Sequence, residues 1–426
     1  MTPPPGRIVL AVCGGTLDRR DGKWYAHHSF GRVVDALAAR VKEVRYCGPT
    51  AVPAHAFLCN YSLARDNVAV YPGPCWANSL QALKRPDRVV HAYRRAIKGC
   101  DALFLRGSLP LLWTVHLMSL ARRVPIVHWV VGNPVAILKG AQRGYGAWLT
   151  ALGLQYAYVD RALTRLAIGL TRAHVLANGA ELARLYRTPR THEVVSTSIS
   201  EEDFHSRADT CTGPLIRLLF VGFVRPEKGL EFLLRAMPLI ETDRPVHLSV
   251  VGAWEQFAAE RERLLTIINE LHLGGRVRWE GYVSFGRALF DKLDDADVLV
   301  LPSLSEGTPR VLVEARARSL PLVATNVGGI PSSVTDGEDG LLVPPRDAPA
   351  LARAVSRIIN DARLRRRLIR TGRDNVRGLT VERFADRVVE LLAGSRDAPP
   401  WDPVGRRGRT QREDAPAAAS MAATHE

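Results

Sequence analysis

Short β-branched runs ending in Gly or Pro recur along this chain with helical periodicities between them, and that alternation restricts the possible folds more than any other feature. It is the pattern of parallel strands joined by crossover helices. Two series are visible. The first comprises "RIVLAVCGG" (7–15), "EVRYCGP" (43–49), "VAVYPGP" (68–74), "ALFLRG" (102–107), "PIVHWVVG" (125–132) and "AHVLANG" (173–179). The second comprises "IRLLFVG" (216–222), "HLSVVG" (247–252), "RVRWEG" (276–281), "DVLVLP" (297–302), "PLVATN" (321–326) and "GLLVPP" (340–345). Between them, residues 201–214 ("EEDFHSRADTCTGP") are polar, contain Gly and Pro and lack an apolar period, which suits a linker. The expected fold class is α/β, with two Rossmann-like domains facing across a cleft lined by the carboxyl ends of strands, where ligands bind in open α/β sheets.

The expected division is an N-terminal domain over 1–200, the linker over 201–214 and a C-terminal domain over 215–380. Asp347 suits the cap of a helix starting near Pro349, and Thr380 the cap of a last amphipathic helix over 381–393. Residues 394–426 are rich in Pro, Ala, Gly and charge and are expected to be disordered.

Composition excludes several classes. With 46% hydrophobic and 24% charged residues, the bulk is neither disordered nor fibrous. Six scattered cysteines form no C-x-x-C pair and no zinc-finger spacing, so reduced structural thiols in a cytoplasmic protein are expected. The start "MTPPPGRIVLAV" lacks the order of a secretory signal. The most apolar stretch, 124–138, is interrupted by His128, Gly132, Asn133 and Pro134 and falls short of the roughly 20 residues a bilayer span needs. The net charge of +15 is carried by 58 cations of which only seven are Lys, which suits an Arg-biased composition first and contact with anionic headgroups second. No signature of specific nucleic-acid binding accompanies it.

Chemistry concentrates at two strand-to-helix turns. In "DVLVLPSLSEGTPRVLVEARA" a buried strand ends at Pro302, Glu306 and Gly307 lie on a loop, Thr308 fits an N-cap and Pro309 the first helical position. Were Glu306 and Glu314 both helical, they would stand about 12 Å apart along the axis. That exceeds the roughly 5 to 9.5 Å of a glycosidase carboxylate pair, so two separate grips on one long ligand is the simpler functional reading. The competing reading is a solvated Glu306 and a Glu314 paired with Arg310 or Arg318. The second turn, "FVGFVRPEKGLEFLLRAM", sets Arg225 and Lys228 ahead of a helix N-terminus, where cations oppose the helix dipole unless an anion sits between them. In the first half, Gly14 and Gly15 close the first strand, either to approach a ligand or only to let the chain turn. His27 and His28 fit an acceptor contact or the start of the following helix.

The stretches "VGFVRPEKGLE", "SEGTPRVLVEARA" and "PLVATNVGGIPSSVTDGEDGLLVPPRD", in that order and spacing, resemble the retaining glycosyltransferases of family four, glycosyltransferase group 1, with their GT-B fold. The resemblance covers roughly residues 216–370. It implies a C-terminal domain for a nucleotide-sugar donor, an N-terminal domain for the acceptor, and a last helix that returns to the N-terminal domain. Carried over, Glu314 holds the donor ribose, Glu306 with the backbone of Gly307 and Thr308 reads the donor sugar, and Lys228 binds the diphosphate. Tyr282 and Val283 fall where the family contacts the base. Where the family has Arg directly after its Gly, this chain has Phe223, leaving Arg225 as the substitute. Gly14 and Gly15 match the glycine loop facing donor phosphate and acceptor. The family histidine after the fifth strand falls at Val131 or Gly132, which leaves Asn133 as the polar group there and His128 inside the strand.

The resemblance implies a metal-independent transferase without cofactor that moves a hexose from a UDP- or GDP-sugar to an acceptor hydroxyl. A cytoplasmic site, a lipid-linked acceptor and peripheral contact with an anionic membrane are expected in cell-envelope or exopolysaccharide synthesis. The alternatives are a GT-B sugar-nucleotide epimerase and a catalytically silent sugar-nucleotide-binding protein.

Overall fold

The structure is a computed structural model that describes residues 5–76, 79–107, 109–135, 138, 147–254 and 257–394 of the 426-residue chain. The stretch expected to be a disordered tail lies, apart from Gly394, outside the described residues.

Ten strands form in the first half: β1 (Val9–Cys13), β2 (Leu17–Arg20), β3 (Lys23–Ala26), β4 (Glu43–Pro49), β5 (Tyr61–Ser62), β6 (Val68–Gly73), β7 (Ala102–Arg106), β8 (Ile126–Val130), β9 (His174–Asn178) and β10 (Thr191–Val194). Seven make a parallel sheet in the order β10-β9-β8-β7-β1-β4-β6. All six strands expected in the first series belong to it. The second half contributes β11 (Ile216–Val221), β12 (Val246–Val251), β13 (Val277–Gly281), β14 (Val298–Leu301), β15 (Leu322–Thr325) and β16 (Leu341–Val343), a parallel sheet in the order β13-β12-β11-β14-β15-β16. Burial explains why these runs are strands. The four residues of β14 and of β15 are all buried, as expected when crossover helices cover both faces.

Several elements depart from expectation. The stretch after Gly15 pairs as the antiparallel sheet β2-β3-β5, its β2–β3 turn made by Asp21 (φ 48°) and Gly22 (φ 76°) in the left-handed conformation of a two-residue hairpin. Residues 191–194 add an edge strand to the N-terminal sheet. His27 occupies the N-cap position of the helix His28–Ala38, but its side chain makes no capping hydrogen bond there. Asp347 and Thr380 do cap as expected, accepting from the backbone N–H of Ala350 and Arg383.

The helix Val381–Leu392 follows the C-terminal domain in sequence yet buries Val381, Phe384, Ala385 and Val388 in the N-terminal core. Phe384 meets Trp129 at 4.7 Å and Phe104 at 6.2 Å between ring centroids. Outside the helix axis, Arg40 pairs with Asp386 at 2.6 Å. The chain crossings between domains lie side by side, because the backbone N–H of Val381 donates to Ile199 and the Thr197 hydroxyl donates to Leu379 at 2.5 Å. Arg32 reinforces this corner by donating to the Ser198 carbonyl and to Asp203, at 2.9 and 2.5 Å.

Among the described residues no helix is long and apolar enough to cross a membrane.

Because Phe384 fills the space between Phe104 and Trp129, Phe384→Ala leaves a cavity in the N-terminal core. The expected loss is about 3–5 kcal/mol, read as a lower denaturant midpoint in equilibrium unfolding, with the C-terminal core unaffected at first.

Candidate active site

Strand order places the two chemical turns together. In the C-terminal sheet the order reverses between β11 and β14, and the loops leaving their carboxyl ends border the crevice that such a reversal opens. The β11 loop carries Arg225 and Lys228, the β14 loop Glu306. Their backbones touch: Leu304 N–H donates to the Glu227 carbonyl at 2.8 Å, and a Cβ on Gly229 would lie 2.1 Å from the Pro302 oxygen. Gly229 also has φ 64°, so only glycine fits this approach.

Lys228 Nζ lies 2.5 Å from Glu306 Oε1, which also accepts from Ser303 Oγ at 2.8 Å. Arg225 sits at the rim, its guanidinium 5.5 Å from the Phe223 ring centre and 5.8 Å from that of Phe257, with Glu227 at 3.3 Å. Phe223, the departure from the family pattern, therefore forms part of the platform under Arg225.

Glu314 lies on the helix Val311–Ala317 and is buried. It is paired with neither of the arginines weighed in the sequence. Ser198 Oγ donates to its Oε1 at 2.5 Å from the other domain, while Arg318 pairs with Asp294. Burial raises the Glu314 pKa, and the nearby Arg310 and the Ser198 hydrogen bond oppose that rise. Two residues on, Arg316 is buried against Asp339 at 2.7 Å and Ser333 at 2.8 Å, which fixes the helix in place. The expected N-cap is not formed: the helix starts at Val311, and Thr308 Oγ1 is buried without a hydrogen-bond partner among the described residues. The helix begins three residues after Thr308, too late for it to cap, and its hydroxyl lies between Gly329 of its own domain and Gly179 of the other, where added Cβ atoms would stand 2.7 and 2.8 Å away.

Opposite, the N-terminal sheet has its own reversal between β1 and β7. Gly14 and Gly15 end β1 and Arg106 ends β7. A Cβ on Gly14 would meet Arg106 Cβ at 2.6 Å, and one on Gly15 (φ 68°) would meet Phe30 and the Tyr46 hydroxyl at 2.5 and 2.8 Å. Between the domains lies a cavity of about 170 Å³ whose lining includes Arg106, Trp129, Asn178, Ser196, Thr308 and Arg310, and no carboxylate. The Arg106 guanidinium stacks 4.8 Å from the centre of Phe30 and 5.5 Å from that of Trp129. Burial and the neighbouring Arg310 push its pKa down to about 10. Arg106 Nε and Trp129 Nε1 are buried without a hydrogen-bond partner among the described residues. The cleft wall is thus rich in donors, suited to phosphate, carboxylate or hydroxyl oxygens. A larger groove of about 640 Å³ lies elsewhere on the N-terminal domain, lined by Trp24, Pro72 and His91, and contains none of the sequence motifs.

The remaining expected residues are dispersed. Asn133 donates to Glu181 at 3.1 Å, and Val131, not Asn133, lines the cavity. Tyr282 packs edge-on to Phe57 of the other domain, ring centres 5.0 Å apart, while Val283 packs against the C-terminal core. His128 is a core residue: its Nδ1 lies 3.0 Å from His116 Nε2, its Nε2 3.2 Å from the Gly107 carbonyl, and burial lowers its pKa to about 4. Among the described residues no group of three or more His, Cys, Asp or Glu is arranged to hold a metal ion. Sequence reasoning missed Arg106 and Ser198, and weighed Arg310 only as a partner of Glu314. Arg106 had a readable signal, a charge before Gly at the carboxyl end of an otherwise apolar strand.

Two reversals of strand order facing one cleft define a GT-B protein, and residues 216–361 match the family described as Glycosyl transferases group 1. Similar curated proteins include a D-inositol 3-phosphate glycosyltransferase of Thermomonospora curvata, 34% identical over 42% of this chain and 43% of its own. A glycogen synthase of Mycobacterium tuberculosis is 28% identical over 68% of this chain and 64% of its own. The chain thus spans less than two thirds of the length of these relatives. Among solved structures, Anabaena HepE in complex with UDP-glucose aligns with a TM-score of 0.63 at 15% identity over 91% of this chain and 99% of its own. WaaG, a glycosyltransferase involved in lipopolysaccharide biosynthesis, aligns at 0.64 and 16% over 90% and 100%. The chain has the GT-B fold, and the stretch that matches the group 1 glycosyltransferase family lies within its C-terminal domain.

Burial disfavours the charged form of Glu314, and ionising it in the folded state costs stability. Its raised pKa means that the folded state takes up the proton first, so the cost is full above the folded pKa and vanishes below the unfolded one. Glu314→Gln, which keeps an oxygen for Ser198, is expected to be more stable than the parent near pH 7, read as a higher denaturant midpoint. That advantage should disappear toward about pH 4 in denaturant titrations.

Proposed function

We propose that this chain is a retaining glycosyltransferase that moves a hexosyl group from a nucleotide diphosphate sugar, UDP- or GDP-linked, to an acceptor hydroxyl. The observation that carries this reading is the approach of Lys228 to Glu306 at 2.5 Å at the reversal point of the C-terminal sheet. Lys228 takes the diphosphate and Arg225, braced on Phe223, supplies the second cation. Negative charge growing on the departing nucleotide is stabilised by these two groups, with no metal or cofactor required. When the diphosphate draws Lys228 away, Glu306 is released to accept hydrogen bonds from the donor sugar beside the Gly307–Thr308 backbone. Glu314 accepts from the ribose, and Tyr282 and Val283 border the base. Gly14 and Gly15 let the N-terminal backbone come close to the sugar and phosphate. The acceptor oxygen bonds to the anomeric carbon from the face that the nucleotide leaves, the bond from that carbon to the diphosphate oxygen breaks, and the departing diphosphate takes the hydroxyl proton, so no separate general base is assigned.

The N-terminal side of the cleft receives the acceptor. Its cavity offers Arg106, Asn178 and Ser196, and closure around the donor excludes water and limits hydrolysis. The similarity of this chain to a lipopolysaccharide core biosynthesis glycosyltransferase, LpsE of Rhizobium meliloti, at 33% identity over 41% of this chain and 49% of its own, supports a cell-envelope acceptor on the cytoplasmic side, lipid-linked.

The test is transfer and nucleotide release from a panel of UDP- and GDP-sugars, with calorimetric binding in parallel. Lys228→Ala and Glu314→Ala should lower kcat/KM by about 100- to 1,000-fold with the fold retained. Unchanged rates would sink the assignment. Sugar conversion with donor alone would indicate an epimerase, and donor binding without turnover over a broad acceptor panel a silent binding protein.

A further inference from the structure

Eight of the eleven exposed large hydrophobic side chains among the described residues lie on one face of the N-terminal domain, so they form a surface rather than a scatter. Six belong to the helix Ala147–Thr171: Trp148, Leu152, Tyr158, Val159, Leu166 and Leu170. Trp148 is 70% and Leu166 61% exposed. Trp148, Leu152, Val159, Leu166 and Leu170 follow one another at intervals of four and seven residues, which puts them in one stripe, and Tyr158, Ala151, Ala162 and Gly169 widen it on one side. Leu117 and Leu120 extend it from the adjoining helix Trp113–Leu120. At 1.5 Å per residue the stripe runs for roughly 35 Å. Propensity does not account for it. The opposite face of the same helix is packed inward through Ala157, Thr164, Ala167 and Ile168, so the outward apolar residues add nothing to the core.

The exposed charges on these two helices and at their ends have one sign. Arg165 and Arg172 stand exposed on and just beyond the helix, and Arg122 and Arg123 follow the two leucines on the adjoining one. The one acid in either helix, Asp160, is buried, accepts from Tyr156 and is held protonated up to about pH 6 by burial. A second copy of the chain seated on the stripe would bring arginine against arginine. A bilayer with acidic headgroups takes the apolar side chains into its acyl boundary and pairs the guanidiniums at the headgroup level, with their stems lying along the apolar surface.

We infer that the outward face of the Ala147–Thr171 helix, with Leu117 and Leu120, is a docking surface for an anionic lipid bilayer, on which the helix lies in the interfacial plane. Topology gives the surface a direction. A crossover helix between the parallel strands β8 and β9 runs antiparallel to them, so its Trp148 end lies at the carboxyl edge of the sheet. The cleft opens at that edge, since Asn178 at the end of β9 lines the cavity. A bilayer on this face therefore lies beside the N-terminal wall of the cleft.

The inference does not depend on the transferase reading, and its test is separate. The full chain is cosedimented with vesicles of phosphatidylcholine alone and of phosphatidylcholine with phosphatidylglycerol. Retention on the mixed vesicles, weak retention on phosphatidylcholine and weakening with added salt are expected. Leu152→Glu with Leu166→Glu should reduce partitioning by about a hundredfold. Arg165→Glu with Arg172→Glu should reduce it by about tenfold. Both pairs are at the surface, and unchanged thermal midpoints and nucleotide calorimetry check that fold and cleft are intact. The proposal is overturned by absent retention on mixed vesicles, by equal retention on phosphatidylcholine alone, or by an undiminished leucine variant. A dimer in sedimentation velocity that the leucine pair dissociates assigns the face to a second copy instead.

Discussion

The C-terminal half of this protein depends on the pairing of β11 with β14. These strands are 80 residues apart in the chain at their register position Leu218↔Val298, yet they are neighbours in the sheet. The strand order reverses between them, so the helices that follow pass to opposite faces and the two loops border an opening. Gly229 permits the loops to come within backbone contact; a side chain there would overlap Pro302. The Lys228–Glu306 ion pair is a consequence of that closeness. Such a pair, with both groups largely shielded and Ser303 supporting the carboxylate, holds both side chains in place where the two loops meet.

A second constraint fixes Glu314. A seven-residue helix has little stability of its own, and this one is secured by Arg316, whose guanidinium is satisfied by Asp339, Ser333 and the Leu312 carbonyl. A fully satisfied buried ion pair contributes modestly to net stability, but breaking it costs about 3–5 kcal/mol, so it specifies position more than it adds energy. One helix thus carries two buried charges of different kinds. Arg316 is paired within its own domain, whereas Glu314 is met by a single hydroxyl, Ser198, from the other.

The parallel sheets were legible because strands buried on both faces must be apolar for their whole length, and Gly or Pro marks their ends. For that reason the second series reads directly as β11 to β16. The β2–β3 hairpin was not, since "LDRR" and "KWYA" are not apolar runs, although the Asp21–Gly22 pair between them is a hairpin signal in itself. At the site, residue types within one motif were readable: Arg225, Lys228, Glu306 and Glu314 all stand on loops or helices bordering the same reversal. What crosses the cleft was not. Ser198 meets Glu314 from 116 residues away, and Thr308 lies against Gly179 from 129 residues away. Those relations depend on how two separately patterned domains are set against each other, and no local period encodes that.

The setting of the domains is itself governed by the two chain crossings. Because the chain passes to the C-terminal domain near Ile199 and returns near Leu379, and the Val381–Ile199 and Thr197–Leu379 hydrogen bonds join these crossings, the domains share one corner. Phe384 and its helix anchor the return strand of that corner in the N-terminal core. Separate linkers at opposite ends would hold the cleft rigid; adjacent ones leave rotation about a single hinge. The same corner carries side-chain contacts between the domains: Ser198 meets Glu314, and Arg32 packs 5.6 Å from the ring centre of Phe285, so the pivot is fixed by polar and aromatic contacts as well as by the two backbone crossings.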